Sequence, residues 1–206
     1  SEAELTRYVN DGQREIVNLK PDASADHANV QLSTGTEQSI PTVGLRLINV
    51  VRNMSAAGSS ATGKRAIRLV NVDILNTHEP DWHDPSVTGT SAHGTEIKHF
   101  VFDEDDPKKY YVYPGVSGNA FVEIVYSKSP TDLSSGSDVI QVDDIYANAI
   151  VNYVLFRAYM KDAEYAGSLQ RSGTHYQLFT ASLGNAVSAE DLISPNTPSG
   201  VTLGGG

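Results

Sequence analysis

The sequence predicts an α+β fold with a helical bundle, an antiparallel β-rich insertion and an extended C-terminal arm. Apolar residues repeat every three or four positions near the start of the chain and again between residues 138 and 184. Between these segments, short runs rich in β-branched and aromatic residues alternate with turns that contain Gly and Pro. We therefore divide the 206 residues into a helical bundle (1–21 and 138–184), a β-rich insertion (22–137) and an arm (185–206).

The first predicted helix begins at Ser1 and ends before Pro21. Ser1 and Glu4 have the spacing of a capping box, in which each side chain satisfies a free backbone N–H of the first turn. Pro21 stops the helix because its ring clashes with the preceding turn. The apolar face between these signals contains Leu5, Tyr8, Val9, Gly12, Ile16 and Leu19.

The insertion contains several strand-like runs and one small polar loop. Residues 22–41 alternate around a Thr-Gly-Thr turn, which predicts a short hairpin. The other predicted elements are a strand at 45–54, a flexible loop at 55–64, a strand passing into a helical turn at 67–75, and strands at 97–102, 110–113 and 121–126. Because short turns separate the last three strands, we expect them to form an antiparallel meander.

The segment 138–184 predicts two helices in a hairpin. In the first helix, only a narrow polar stripe through Asp144, Asn148 and Asn152 interrupts the apolar surface, so the helix requires cover on more than one side. The second helix is predicted to end at a left-handed cap formed by Gly184 and Asn185. Gly173 lies on its predicted apolar face, where we expect another backbone to approach closely.

Net charge and composition exclude several classes of function. A formal charge of −10 argues against a protein that binds nucleic acid by neutralising phosphates. The absence of Cys excludes disulfides, thiolate zinc sites and cysteine nucleophiles. The sequence has no run of about 18 apolar residues that would predict a membrane span. We therefore expect a soluble protein with no membrane partner.

Metal-type ligands concentrate in the loop that ends near residue 99. They are His78, Glu79, Asp81, His83, Asp84, His93, Glu96 and His99. Their spacing is not the helical His-Glu-x-x-His motif and fixes no coordination geometry, so we favour a turn held by Pro80 and Trp82. A metal-dependent hydrolase that uses His78 and His83 is a third, lower-ranked hypothesis.

No other motif favours catalysis. The run Asp103–Asp106 lacks the alternating spacing of a calcium loop and is interpreted as a solvated turn. Gly-x-Ser-x-Gly, Gly-x-Gly-x-x-Gly and Walker sequences are absent. We predict no enzyme, no catalytic residue, no metal ligand and no cofactor.

The aromatic residues are interpreted as contact surfaces. A Tyr ring supplies a large contact area with a polar tip, which suits an interface between subunits. The inter-subunit candidates are Trp82, Tyr146, Tyr153 and Tyr159. In the alternative hypothesis, the insertion is a carbohydrate- or receptor-binding module, with stacking surfaces at Trp82 and Tyr110–Tyr113.

Five stretches carry a family resemblance over about half of the chain. They are LTRYVNDGQREIVNLKPDA, PDWH, KHFVFDEDDPKKYYVYPG, VEIVYSKSPTDL and DDIYANAIVNYVLFRAYMKDAEYAGSLQRSGTHYQLFTASLG. They resemble the head-to-tail adaptor, or connector, proteins of tailed bacteriophages. The resemblance implies a structural virion protein that is made in the host cytoplasm and lies at the head–tail neck, in a ring commonly of twelve copies beneath the portal. Its implied partners are the portal protein, the tail tube or nozzle protein and further copies of itself.

The tail and the acidic charge give two further expectations within that resemblance. Pro195, Pro198 and the terminal glycines disfavour a helix, so we expect an arm that becomes ordered against the portal. The portal-contact candidates are its isolated apolar residues Val187, Leu192, Ile193, Val201 and Leu203. An acidic ring suits a lumen through which DNA slides without specific binding, with Asp103–Asp106 as candidate lumen residues.

Overall fold

A computed structural model describes residues 1–162, 164–165 and 167–193, with side chains as far as Gly184. The helices are α1 (Glu2–Leu19), α2 (Val72–His78), α3 (Ala147–Lys161) and α4 (Ser168–Ile193). The strands are β1 (Ala25–Gln31), β2 (Gly35–Ser39), β3 (Gly44–Met54), β4 (Gly63–Ala66), β5 (Arg68–Leu69), β6 (His99–Phe102), β7 (Lys109–Val116) and β8 (Phe121–Lys128). The predicted α+β class is confirmed. None of the described helices is long and apolar enough to cross a membrane.

The chain forms two compact units, which we describe separately. The helical unit combines Ser1–Ile16 with the chain from Pro130 onwards, and the β unit is Val17–Ser129. The sequence analysis placed these boundaries after residues 21 and 137.

Two four-stranded sheets form the β unit, with strand orders β1-β8-β3-β4 and β2-β7-β6-β5. One apolar core contains residues from both sheets, including Val50 of β3, Ile124 of β8, Val112 of β7 and Phe100 of β6. The two sheets therefore form a sandwich, and alternate side chains of β7 and β8 point into its core, such as Tyr110 and Val112 of β7 and Val122 and Ile124 of β8.

The predicted hairpin at residues 22–41 is wrong, although both of its strands exist. β1 pairs with β8 in one sheet, and β2 pairs with β7 in the other. The buried Gln38 side chain explains the departure, because its amide takes up the backbone hydrogen bonds of the turn. Its Oε1 accepts from Ser33 N at 2.8 Å, and its Nε2 donates to the carbonyls of Ser33 and Gly35 at 2.8 and 3.2 Å.

The predicted meander is correct for one pair of strands and wrong for the next. β6 and β7 are antiparallel neighbours, whereas β8 lies between β1 and β3 in the opposite sheet. Tyr110 of β7 and Val122 of β8 nevertheless belong to the same core. The alternation of apolar and polar residues shows which side chains face a core, but it does not show which sheet they come from.

A buried amide joins β3 to the segment that leads into β6. Asn53 donates to the carbonyl oxygens of Arg65 and Ile97 at 3.0 and 2.7 Å, and its Oδ1 accepts from Ile97 N at 2.8 Å. Every polar atom of this side chain is therefore used in a place that water does not reach.

In the helical unit, α1 packs against α3 through a position with no side chain. A Cβ atom on Gly12 would lie only 3.1 Å from Cδ1 of Tyr153. Ion pairs flank this contact, with Arg157 Nη2 at 3.3 Å from Asp11 Oδ2 and Lys161 Nζ at 2.7 Å from Glu4 Oε1. Glu4 was predicted to serve a capping box with Ser1; its Oε2 lies 3.6 Å from the Ser1 amino nitrogen, and the same carboxylate also binds α3.

The final helix is longer than predicted, which corrects the start of the expected arm. α4 continues through Gly184 and Asn185 to Ile193, and Gly184 does not adopt a positive φ. The predicted cap at Gly184 and Asn185 is therefore absent, because the residues that follow are compatible with a helix until Pro195. Gly173 is also not a site of close approach, since a Cβ atom there would meet nothing within 4 Å.

Candidate assembly surfaces

One side of α3 is apolar and remains accessible. The residues that meet α1 are Tyr153, Arg157 and Lys161, and the rings of Phe156 and Tyr159 turn towards α4. At 3.6 residues per turn, a third side of the helix carries Val151, Val154, Leu155 and Ala158. Val151 is 56% exposed, and the other three side chains are half-buried. We call these four residues the α3 stripe.

The aromatic residues of the hairpin contact each other within one chain. The rings of Tyr153 and Phe179 are 5.3 Å apart, and Tyr159 stacks on His175 at 5.5 Å. Tyr146 and Tyr153 are buried. Helical spacing turns these two rings towards the interior of the unit, so their predicted contact with another subunit stays a prediction that their burial does not favour. Tyr159 is half-buried, and its proposed contact with another subunit stays a prediction.

Trp82 is a core residue of the β unit rather than a surface aromatic residue. It is 1% exposed, its Nε1 donates to Asn76 Oδ1 at 3.0 Å, and its ring lies edge-on to Tyr111 at 6.1 Å. Tyr110 and Tyr113 are also buried. The predicted contact of Trp82 with another subunit stays a prediction that its burial does not favour, and three stacking faces of the carbohydrate hypothesis are covered within the chain. Tyr111 alone among those aromatic residues remains partly accessible.

The histidines of the loop serve as polar packing groups. His83 Nδ1 lies 2.7 Å from Thr36 Oγ1, His93 Nε2 lies 3.4 Å from the carbonyl of Trp82, and His99 stacks on Tyr113. Burial lowers the pKa of His83 and His99, which favours their neutral forms. His78 is exposed at the end of α2. Within the described residues, no three His, Asp or Glu side chains are arranged to hold a metal ion.

The acidic run after β6 is a turn that caps its own backbone and borders a cleft. Asp103 Oδ1 accepts from Asp105 N and Asp106 N at 2.9 and 3.2 Å, which agrees with the predicted turn. The cleft beside it has a volume of about 570 Å³. Its lining includes Asp22, Arg46, Leu47, Phe102, Asp103 and Glu104. We call this the acidic cleft.

Basic residues gather at the other end of the same strands, a feature that the sequence analysis missed. Lys64 and Arg65 are exposed on β4, Arg68 is exposed on β5, and Lys98 precedes β6. Arg65 Nη1 pairs with Glu96 Oε1 at 3.0 Å. We call these four cations the basic edge, because β4 and β5 are the edge strands of the two sheets. The signal in the sequence was Lys64-Arg65-Ala66-Ile67-Arg68, in which three cations lie close to one buried residue, Ile67.

Comparison with known families assigns the chain to one of them. A family model described as SU10 adaptor protein matches residues 1–199, which span both compact units. The chain belongs to this family. The match confirms the resemblance to phage head-to-tail adaptors: the family is one of phage structural adaptors, which is not a class of enzymes, and membership implies a component of the virion. No curated protein matches the chain.

Only three of the five portal-contact candidates lie within the described part of this adaptor. The backbone of Val187, Leu192 and Ile193 is helical, as the last part of α4. Val201 and Leu203 lie outside the described residues. Their contact with a portal stays a prediction.

Proposed function

We propose that the protein is the subunit of a ring that joins the portal of the capsid to the tail at the neck of a tailed phage. The match to the adaptor family over residues 1–199 carries this proposal. In the proposed assembly, one face of the ring meets the portal protein and the other meets a tail tube or nozzle protein. The number of copies is taken as twelve, from the resemblance to head-to-tail adaptors.

The α3 stripe supports assembly with further protein. Its apolar side chains repeat at the spacing of i, i+3, i+4 and i+7, which is the pattern of a helix face that packs on a neighbour. Val151 remains more than half exposed after α1 and α4 have packed on α3. A neighbouring subunit or the portal would remove this surface from water, at about 25 cal/mol per Å² buried.

The acidic composition supports a passage for DNA. A lumen rich in Lys and Arg would bind phosphates through release of counterions and would hold the DNA in place. With a charge of −10 per copy, the ring repels the DNA backbone, so DNA passes without specific binding. No cofactor takes part.

The C-terminal residues are proposed to attach the ring to the portal. Because α4 ends at Ile193, a deletion of residues 194–206 separates the contribution of the tail from that of the helix. We expect the shortened chain to fold like the full chain, as judged by its thermal unfolding, and to lose co-purification with portal rings. A deletion of only the last three glycines, residues 204–206, is the control and should still attach.

A direct test is the protein composition of purified particles and an image of the neck. We expect the chain in the virion as a ring between the portal and the tail. In the same particles, replacement of Val151 by Asp should lower incorporation while leaving the isolated chain folded. Particles without the chain, or with the chain only in the capsid shell or the tail fibres, would refute the proposed function.

A further inference from the structure

The β unit carries opposite charges at the two ends of its strands. The acidic cleft lies at the start of β3 and the end of β6, and the basic edge lies where β3 ends and β6 begins. At about 3.3 Å per residue, Lys98 and Asp103 are roughly 16 Å apart along β6. The two surfaces are therefore separate and cannot satisfy each other within one copy.

Apolar side chains are exposed on both surfaces. Phe102 lines the acidic cleft and is 38% exposed, while Leu69 follows Arg68 on β5 and is 58% exposed. Charges alone are well solvated at a protein surface and stabilise little. The aromatic wall of the cleft and the exposed Leu of the edge strand add apolar contact area. Burial of this area between two copies is favourable.

The charge balance makes one surface complementary to the other. Around the acidic cleft, Asp22, Asp103 and Glu104 outnumber Arg46, and Asp105 and Asp106 extend the same turn. On the basic edge, Lys64, Arg65, Arg68 and Lys98 outnumber Glu96. Two copies that met through the same surface would bring like charges together, whereas contact between different surfaces pairs opposite charges.

From this complementarity we propose that neighbouring copies of the chain bind head to tail through their β units, with the basic edge of one copy seated in the acidic cleft of the next. The inference rests on the proposed function, since it names the contact between neighbours in the ring. A contact between two different patches of identical chains forms a ring when the rotation closes. It also assigns Asp103–Asp106 to the contact between subunits instead of the lumen.

Cross-linking tests this geometry directly, because the natural chain has no Cys. Ala66→Cys places a thiol on the basic edge, and Lys108→Cys places one beside the acidic turn without removing a carboxylate; both positions are exposed. Concentrated full chain is treated with a short bismaleimide. We expect no dimer from either variant alone, dimers from a mixture of the two, and a ladder of larger species from a chain that carries both thiols.

Charge reversal tests the energetic part. We expect Arg65→Glu with Arg68→Glu to weaken self-association about tenfold, as sedimentation measures it at low salt, which is the sum expected for two to three exposed charge pairs. Glu104→Lys with Asp105→Lys, both at exposed positions of the acidic turn, should weaken it similarly, and mixing the two variants should restore association. Arg7→Glu with Arg171→Glu changes the net charge by the same amount on the helical unit and should have no comparable effect.

Several results of the cross-linking and charge-reversal experiments would overturn the head-to-tail contact. Dimers from a single-Cys variant would show contact between identical surfaces, and a mixture that gives no cross-link would show that the two surfaces do not meet. Unchanged association after charge reversal would mean that Lys64, Arg65 and Arg68 only protect an exposed sheet edge from aggregation.

If particles contain the chain as a neck ring but the mixture gives no cross-link, this inference alone fails. Ladders from a chain that is absent from the neck would refute only the proposed function.

Discussion

The β unit and the helical unit bury their apolar side chains to different extents. The sandwich closes an apolar core between its own two sheets, and the amides of Asn53 and Gln38 are satisfied inside it. The helices bury the rings of Tyr146, Tyr153 and Phe179 inside their unit and also pack through Gly12 and through surface ion pairs, but they leave the α3 stripe accessible. The first unit is specified by contacts within the chain, whereas the second presents surface that a neighbour can cover.

This difference predicts where single substitutions act most strongly. The buried amides of Asn53 and Gln38 in the β unit have fixed partners and no access to water, so removing either amide leaves orphaned donors and acceptors. Ion pairs between exposed side chains are solvated in either state and stabilise less. The expected effects therefore decrease from the buried amide of the sandwich, through the helix contact, to the surface ion pair.

The largest expected effect is that of Asn53→Ala. The change leaves Ile97 N and two carbonyl oxygens without their partner. We expect the free energy of unfolding to fall by about 3 kcal/mol, measured by denaturation in urea. Asn49→Ala, at an exposed position on the same strand, is the control and should change it by less than about 0.5 kcal/mol. Equal losses in both variants would show that the bonds of the buried amide do not hold the sheets together.

The second effect concerns the contact of α1 with α3. Gly12→Val places methyl groups where the Tyr153 ring already lies, since even a Cβ atom would come within 3.1 Å of that ring. We expect this overpacking to destabilise the chain by about 2 kcal/mol, measured by the same denaturation. A neutral result would contradict the packing of α1 against Tyr153.

The matched control uses Gly173, another glycine inside a helix. Gly173 is exposed on α4, and a side chain there meets nothing within 4 Å. Gly173→Ala should therefore stabilise the chain, by up to about 1 kcal/mol from helix propensity. A loss of stability at Gly12 together with a gain at Gly173 would distinguish the packing requirement at Gly12 from the helix-propensity cost of a glycine.

These two glycines also show what the sequence could predict. Helical spacing correctly identified the hairpin, and the β-branched run at 45–54 correctly predicted β3. The same spacing put Gly173 on an apolar face and attributed a close approach to it. Periodicity locates residues around a helix axis, but it contains no information about how near the neighbouring backbone lies, so Gly12 and Gly173 were indistinguishable from their local sequence.

The partners of strands and aromatic side chains were beyond the same kind of reasoning. β7 and β8 alternate alike and follow each other closely, yet they belong to different sheets. Trp82 lies in a polar stretch and was interpreted as a contact residue, whereas Asn76 and Tyr111 enclose it. The basic edge was missed because its cations come from two edge strands and the segment before β6, which only the fold brings together.

The smallest effect is expected at the ion pair between α1 and α3, and it depends on pH. Lys161 Nζ donates to both carboxylate oxygens of Glu4, at 2.7 and 3.0 Å, and the Tyr8 hydroxyl donates to Oε1 at 2.9 Å. These donors lower the pKa of Glu4 from 4.5 to about 2. The unfolded chain therefore takes up the proton more readily than the folded chain, so the contribution of Glu4 is present above pH 4.5 and is lost as the pH falls towards 2.

Comparing Tm for the natural chain and for Glu4→Gln between pH 6 and pH 2 isolates this contribution. Other carboxylates, such as Asp138 with its pKa of about 2, titrate equally in both proteins, so the difference in Tm reports on Glu4. We expect a small difference at pH 6 that closes as the pH approaches 2, and a smaller difference at high salt because the pair is exposed. In a Lys161→Met background, the same substitution should show much less pH dependence. A difference that stays constant down to pH 2 would mean that Glu4 acts through packing and not through its charge, and the helix contact would then rest on Gly12 and Tyr153 instead.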